Sequence, residues 1–296
     1  MTENSIFRGA ATALITPLTA DGIDYESFGR LIDWQIESGI DGLVICGTSG
    51  EGSTLSDKEH REALDFAIQR ADGRVPMIAG TGSNDIAYGI DLTKFACEIG
   101  YDAVLVVTPY YNKATQNGLI KSYLATADAS SKPCILYNVP SRTGVNIEPA
   151  TYDILADHPM IQGIKEANGN IAKIVETMSI VGDRLDLYSG NDDEIVPLLS
   201  VGGSGVISVL SNVFPKETSL MCKKFFEGDT KGALELQFKY FKLIKALFSE
   251  VNPIPVKAAM AAMGFRENYL RLPLTPMEDA HKEVLLQCMR EQGLNV

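Results

Sequence analysis

Residues 134–165 carry the pattern that decides the fold. An apolar run, Cys134-Ile-Leu-Tyr-Asn138, is followed by a longer amphipathic stretch and then by a second run, Ile161-Gln-Gly-Ile-Lys165. Runs this short and this continuously apolar suit strands buried on both faces of a parallel sheet. Parallel neighbours need a crossover, usually a helix, because a tight hairpin returns the chain antiparallel. The stretch therefore reads as one β–α–β unit.

The same unit repeats in both directions. Strand-like runs fall at 11–16, 42–46, 77–80, 103–108, 134–138, 161–165, 185–189 and 205–209, each followed by an amphipathic segment. Eight such repeats predict an α/β chain folded as a (β/α)8 TIM barrel, which typically takes about 250 residues. A doubly wound sheet would usually have fewer strands and a glycine-rich turn after the first, which Thr16-Pro-Leu-Thr19 does not supply. Helix starts are also legible. Ser56-Asp-Lys-Glu59 has the form of a capping box, Asn84 can open a helix over 85–99, and Thr275-Pro-Met-Glu278 has the features of another N-terminus. After about residue 214 the strand-like runs stop, and 216–227, 230–249, 255–263 and 276–292 keep only helical periodicity. The expected division is a catalytic barrel over 1–225 and a C-terminal helical domain over 226–296.

The chain's 296 residues fit one large domain with an appendage, and 45% hydrophobic against 22% charged residues excludes a disordered chain. Twenty-six Lys and Arg against 38 Asp and Glu give a net charge of −12, which repels phosphate backbones and anionic lipid. No nucleic-acid or membrane partner is expected. The five cysteines (46, 97, 134, 222 and 288) are odd in number and scattered, and read as free thiols in a reducing compartment. The opening residues, Met1 to Arg8, lack the layout of a signal peptide, and no apolar run approaches the roughly 20 residues of a membrane helix. A cytoplasmic location is the expectation.

In such barrels the chemistry sits where strands end. The second strand runs into Gly47-Thr-Ser-Gly-Glu51, a turn whose amides and hydroxyls can hold an anion, and the fourth into Thr108-Pro-Tyr-Tyr-Asn112. The fifth ends in Tyr137-Asn-Val-Pro-Ser-Arg-Thr-Gly144, the sixth in Gly163-Ile-Lys-Glu166 and the seventh in Ser189-Gly-Asn191. Each feature alone has an ordinary explanation: a solvated lysine at a strand end, a wet tyrosine, a surface arginine, a tight turn. Their convergence on one rim is the signal. A lysine freed of its proton by burial attacks a keto group, and hydrogen-bonded phenols and hydroxyls can move the protons that imine and enamine formation requires. Lys165 fits the nucleophile. His60, His158 and His281 have no metal-site spacing, so no metal is expected; the 47–51 turn fails the serine-nucleophile pattern, and no phosphate-loop motif occurs. Asn191-Asp-Asp-Glu194 reads as a solvated acidic loop rather than a cation site.

These segments resemble the dihydrodipicolinate synthase family, within the pyruvate-dependent class I aldolase group that includes N-acetylneuraminate lyase. The resemblance runs from Phe7-Arg-Gly-Ala to Arg271-Leu-Pro-Leu-Thr-Pro276 and is most specific at 108–112, 137–144, Gly163-Ile-Lys-Glu-Ala167 and Asn252-Pro-Ile-Pro-Val-Lys257. It implies a lyase without a cofactor that condenses pyruvate with (S)-aspartate 4-semialdehyde, the committed step toward diaminopimelate and lysine. By match to the family's motifs, Lys165 is the Schiff-base lysine and Tyr137 the proton shuttle, linked through Thr48 to a Tyr111 supplied by a neighbouring subunit. Thr48 and Ser49 hold the pyruvate carboxylate, Arg142 holds that of the semialdehyde, and Gly190 and the Ile207 carbonyl line the pocket. A homotetramer, a dimer of dimers, is implied as well.

Two departures from the family pattern stand out. Ser49 replaces a usual threonine, keeping the hydroxyl and losing a methyl. In the family's lysine-effector site His60, Asn84 and Tyr110 match, whereas Tyr88 replaces an acid and Asp57 a histidine, so lysine is expected to inhibit weakly or not at all. Arg142 favours a small acidic aldehyde. The alternative within the group is a related aldolase acting on a 2-keto-3-deoxy sugar acid or N-acetylneuraminate.

Overall fold

A computed structural model describes residues 5–265 and 267–296. Among these, eight parallel strands close into a barrel: β1 (Gly9–Ala13), β2 (Gly42–Ile45), β3 (Met77–Gly80), β4 (Ala103–Val107), β5 (Cys134–Asn138), β6 (Ile161–Glu166), β7 (Asp186–Ser189) and β8 (Gly205–Ser208). Each pairs with its sequence neighbours, and β1 closes the ring on β8 with Gly9 opposite Gly205. Helices α1 (Tyr25–Glu37), α2 (Asp57–Ala71), α3 (Ile86–Glu98), α4 (Gln116–Ala129), α5 (Pro149–Leu155), α6 (Ile171–Val181), α7 (Ile195–Ser200) and α8 (Pro215–Phe226) alternate with the strands. Three more follow: α9 (Thr230–Leu247), α10 (Ile254–Ala262) and α11 (Asp279–Glu291). The TIM-barrel expectation and the helical C-terminus hold. No described helix is long and apolar enough to cross a membrane.

The period-2 alternation of each strand divides the core in two. Ala11, Val44, Leu105, Ile135, Tyr137 and Ile207 face the barrel interior, while Leu43, Val104, Leu136 and Ile164 pack beneath the helices. Phe7 enters from the N-terminal side and stacks on Tyr188 with ring centroids 4.2 Å apart. The Tyr188 hydroxyl donates to the Phe7 carbonyl at 2.9 Å. The bottom of the barrel is thereby plugged with aromatic carbon, and its open end is the one to which the strands point.

Three local expectations are corrected. The first strand is displaced from 11–16 to Gly9–Ala13, because beyond it the Ile15 amide is taken by the Asn212 side chain at 3.1 Å instead of a strand neighbour. A small hairpin, Leu18–Thr19 with Gly22–Ile23, then follows. Asp85, not Asn84, caps α3, accepting from the Ala87 and Tyr88 amides. The last helix starts at Asp279 rather than 276, because the Glu278 amide is held by Glu250 at 3.0 Å while its backbone is still extended. The capping box of α2 is present as read, Ser56 and Glu59 each satisfying the other's backbone.

Candidate active site

Strand register builds the centre of the site. Tyr137 on β5 and Lys165 on β6 are direct partners, so both side chains project into the barrel at the same height. The Lys165 Nζ lies 4.1 Å from the centroid of the Tyr137 ring, with the residue only 4% exposed. Burial pushes the amine's pKa down to about 7; nearby Arg142 acts in the same direction and Asp192 opposes both. Against an ordinary lysine near 10.4, such a group offers roughly a thousandfold more neutral amine at neutral pH. Gly190 leaves the space in which it moves. A Cβ there would sit 3.3 Å from the Lys165 Cε and 2.8 Å from the Ala167 Cβ.

The Tyr137 hydroxyl is bonded to Thr48, and its pKa is raised, first by burial, with Arg142 and Thr48 acting the other way. Thr48 belongs to a turn made by left-handed backbone at Cys46 (φ 56°) and Glu51 (φ 55°). Gly52 allows the return: a Cβ there would come within 2.2 Å of the Cys46 carbonyl oxygen. Next to Thr48, Ser49 is buried, and its Oγ accepts from the Asn252 amide at 3.0 Å. The carbonyl of the same Asn252 accepts from the Arg142 Nη2 at 3.1 Å. Arg142 itself stands in a single helical turn, Pro140–Thr143, and remains exposed.

Thr48, Tyr137, Arg142 and Asn252 line a cavity of about 560 Å³, together with His60 and Tyr110. Lys165 lies under the Tyr137 ring rather than in the wall. Ile207 is fully buried in the barrel interior with Tyr137. Tyr111 is not brought to Thr48 within this chain: it is 87% exposed on left-handed backbone, φ 74°. His60 is buried, donating from Nε2 to the Gly80 carbonyl at 2.9 Å, and burial lowers its pKa. The Asn84 Oδ1 is buried and finds no hydrogen-bond partner among the described residues.

Three contributors escape the sequence reading. Asp192, expected in a solvated loop, is 1% exposed; its Oδ2 accepts from the Val209 and Leu210 amides at 3.0 and 2.8 Å. The run of four polar residues hides that one of them points inward. Glu166 turns to the outer face of β6, where Asn138 (2.9 Å) and Tyr152 (3.2 Å) donate to it, and burial raises its pKa to about 7. Asn252 sits in a distinctive proline-rich motif, which was a usable signal, but its role depends on the return of the C-terminal chain to the rim.

A family model described as the dihydrodipicolinate synthetase family matches residues 6–292. A 4-hydroxy-tetrahydrodipicolinate synthase of Lachnoclostridium phytofermentans is 53% identical over 292 residues, covering 98% of this chain and 99% of its own. Among solved structures, the chloride-inhibited dihydrodipicolinate synthase of Acinetobacter baumannii, complexed with pyruvate, superposes with a TM-score of 0.94 at 42% identity, over 97% of this chain and 99% of that one. A monomeric dihydrodipicolinate synthase variant superposes with a TM-score of 0.95 at 43% identity, over 98% of each chain.

The buried amine gives a pH prediction. Imine formation with a small 2-oxo acid, trapped by cyanoborohydride and read by mass, rises with pH through a midpoint near 7. Below it the amine is protonated and inert; above it the yield is level. Asp192→Asn removes the carboxylate that favours the charged form, so its midpoint moves lower. A wild-type midpoint near the ordinary lysine value contradicts the assignment.

Proposed function

The chain belongs to the dihydrodipicolinate synthetase family, and on that premise we propose that Lys165, Tyr137 and Thr48 carry the condensation of pyruvate with (S)-aspartate 4-semialdehyde. The activity is that of a 4-hydroxy-tetrahydrodipicolinate synthase, a lyase on the way to diaminopimelate and lysine. The neutral Lys165 amine attacks the keto carbon of pyruvate, and loss of water leaves an iminium. A proton leaves the adjacent methyl group, giving an enamine. The enamine carbon attacks the aldehyde carbon, and the new alkoxide takes up a proton. The substrate's own amino group then attacks the imine carbon, releasing Lys165 and closing the ring. The Tyr137 hydroxyl, bonded to Thr48, relays these protons. The observation that carries this reading is a buried lysine with a pKa near 7 beneath the ring of Tyr137, a residue that lines the cavity.

Thr48 and Ser49 hold the pyruvate carboxylate, Gly190 and the Ile207 carbonyl border it, and Arg142 at the cavity mouth takes the carboxylate of the semialdehyde. A guanidinium there favours a carboxylate-bearing aldehyde over a sugar aldehyde, and the relatives' names agree. The alternative, a lyase for a 2-keto-3-deoxy sugar acid or N-acetylneuraminate, is not favoured. The catalytic barrel is assigned to 1–225 and the helical domain to 226–296, with the enzyme working in the cytoplasm. Tyr111, a large aromatic held outward on strained backbone, supports a site completed by a second subunit, in a homotetramer built as a dimer of dimers.

The effector pocket that includes His60, Asn84 and Tyr110 binds lysine weakly or not at all. Its one acidic newcomer, Asp57, is already paired with the Arg61 Nε at 2.9 Å and with the Tyr88 hydroxyl, leaving no free carboxylate for an ammonium group. An unpaired ammonium there is costly to bury.

Four measurements test these roles. Purified protein should consume pyruvate with aspartate semialdehyde and not with N-acetylmannosamine or glyceraldehyde. Arg142→Ala should raise KM for the semialdehyde roughly 10–100-fold while leaving the pyruvate adduct on Lys165 intact; sugar aldehyde turnover in its place rejects the substrate assignment. Mixed Tyr111→Phe and Lys165→Ala chains should regain activity as hybrids if the site is built in trans, and stay inactive if it is not. Lysine titrated into the assay should inhibit weakly or not at all, and a submillimolar inhibition constant overturns the assignment of the pocket.

A further inference from the structure

The turn that carries Thr48 and Ser49 is gripped from outside the barrel. Glu51 closes that turn, and its Oε1 accepts from the Nζ of Lys257 on α10, the two side chains being 1% and 2% exposed. The second Glu51 oxygen accepts from the Arg271 amide at 3.2 Å. The Arg271 guanidinium then forks onto Glu59 of α2, with one arm at 2.8 Å. Glu59 in turn accepts from the Ser56 amide at 2.9 Å. One continuous set of charged hydrogen bonds therefore runs from α10, through the turn, to the start of α2. Five residues upstream of Lys257, the Asn252 amide donates to Ser49.

A buried ion pair of this kind is a weak source of net stability. Desolvation of both charges offsets most of their attraction, and well-packed apolar residues often do as well. What the pair does fix is geometry. Glu51 holds left-handed backbone, three residues from Thr48 and two from Ser49, and its amide donates to the Thr48 carbonyl at 3.2 Å. A shift of Glu51 is therefore passed directly to Thr48.

We propose that the Glu51–Lys257 ion pair is a positioning device for the pyruvate-carboxylate subsite, clamping the 47–51 turn so that the Thr48 and Ser49 hydroxyls stand ready before the substrate arrives. Neither residue reacts; Lys257, on a helix outside the barrel, acts through Glu51 on Thr48. The inference rests on the functional reading given above, which supplies pyruvate as the ligand of that turn. The clamp acts chiefly on one substrate of the two, since Lys257 bonds directly to Glu51 of the turn, whereas Arg142 is linked to that turn only through Asn252 and Ser49.

The test neutralises both partners together, so that no lone charge is left buried: Glu51→Gln with Lys257→Met. Pyruvate is titrated against wild type and variant, and the Lys165 adduct is trapped with cyanoborohydride and read by mass. Steady-state KM values for both substrates and thermal unfolding are measured alongside. The double variant should unfold cooperatively yet need roughly tenfold more pyruvate for half-maximal trapping. Its KM for the semialdehyde should stay within about twofold of wild type, and its trapping midpoint in pH should not move. Should the double variant fail to fold, Glu51→Asp, which keeps the charge and withdraws the carboxylate by one methylene, should show the same split more weakly. An unchanged pyruvate midpoint in a folded variant, with or without a lowered Tm, overturns the clamp and leaves the enzyme assignment standing. Absence of any adduct in the wild type overturns the assignment itself, and the clamp with it.

Discussion

A lysine amine enclosed in a packed barrel has to give up its proton near neutrality or be stabilised by a counter-charge, and the rest of the site is arranged around that constraint. Lys165 projects into the barrel interior beneath the Tyr137 ring, where an ammonium is poorly solvated. Asp192 is close enough to moderate the effect, but its Oδ2 is occupied by two backbone amides. The amine is thus left between two extremes, neither salt-bridged into permanent charge nor so isolated that it never takes a proton. Turnover through an imine requires that middle position, because the nitrogen must be neutral to attack and must carry positive charge as an iminium.

The face on which each side chain emerges does the rest of the arranging. Because β5 and β6 are in register, Tyr137 and Lys165 share one height inside, while Asn138 and Glu166 share the next height outside. The inner pair is available for chemistry. The outer pair is bonded to each other and to Tyr152, which ties the strand ends to α5. One dipeptide step thus separates a reactive group from a structural one, and a one-residue slip of either strand would exchange them.

The barrel and its rim were legible in the sequence because burial on both faces leaves an uninterrupted apolar signature and because reactive residues collect where such runs end. The eight strands were found within a few residues, and Lys165, Tyr137, Thr48, Ser49 and Arg142 all lie at the rim where the strand ends put them. Contacts between distant parts of the chain were not legible. Asn252 and Lys257 reach the rim only because the C-terminal chain folds back over it, and no local periodicity reports that. Asp192 is hidden for a related reason: in a polar run, composition does not say which side chain turns inward. The first strand and the last helix were misplaced where side chains, Asn212 and Glu250, capture backbone amides that a propensity argument assigns to regular structure.

The exposed position of Arg142, on a single helical turn beyond the end of β5, has a consequence for how such an enzyme can diversify. Lys165 and Tyr137, the residues proposed as nucleophile and phenol, are buried, and a Cβ at Gly190 would crowd the Lys165 Cε and the Ala167 Cβ, so changes there disturb the interior. Arg142 is itself exposed, and although its charge bears on Lys165 and Tyr137, its replacement removes no buried side chain from the interior. On the role proposed for Arg142, choice of the second reactant is therefore largely separable from the bond-making chemistry. Descendants of this chain could drift across acceptor aldehydes through a handful of loop substitutions, each viable on its own, while inheriting the same enamine intact.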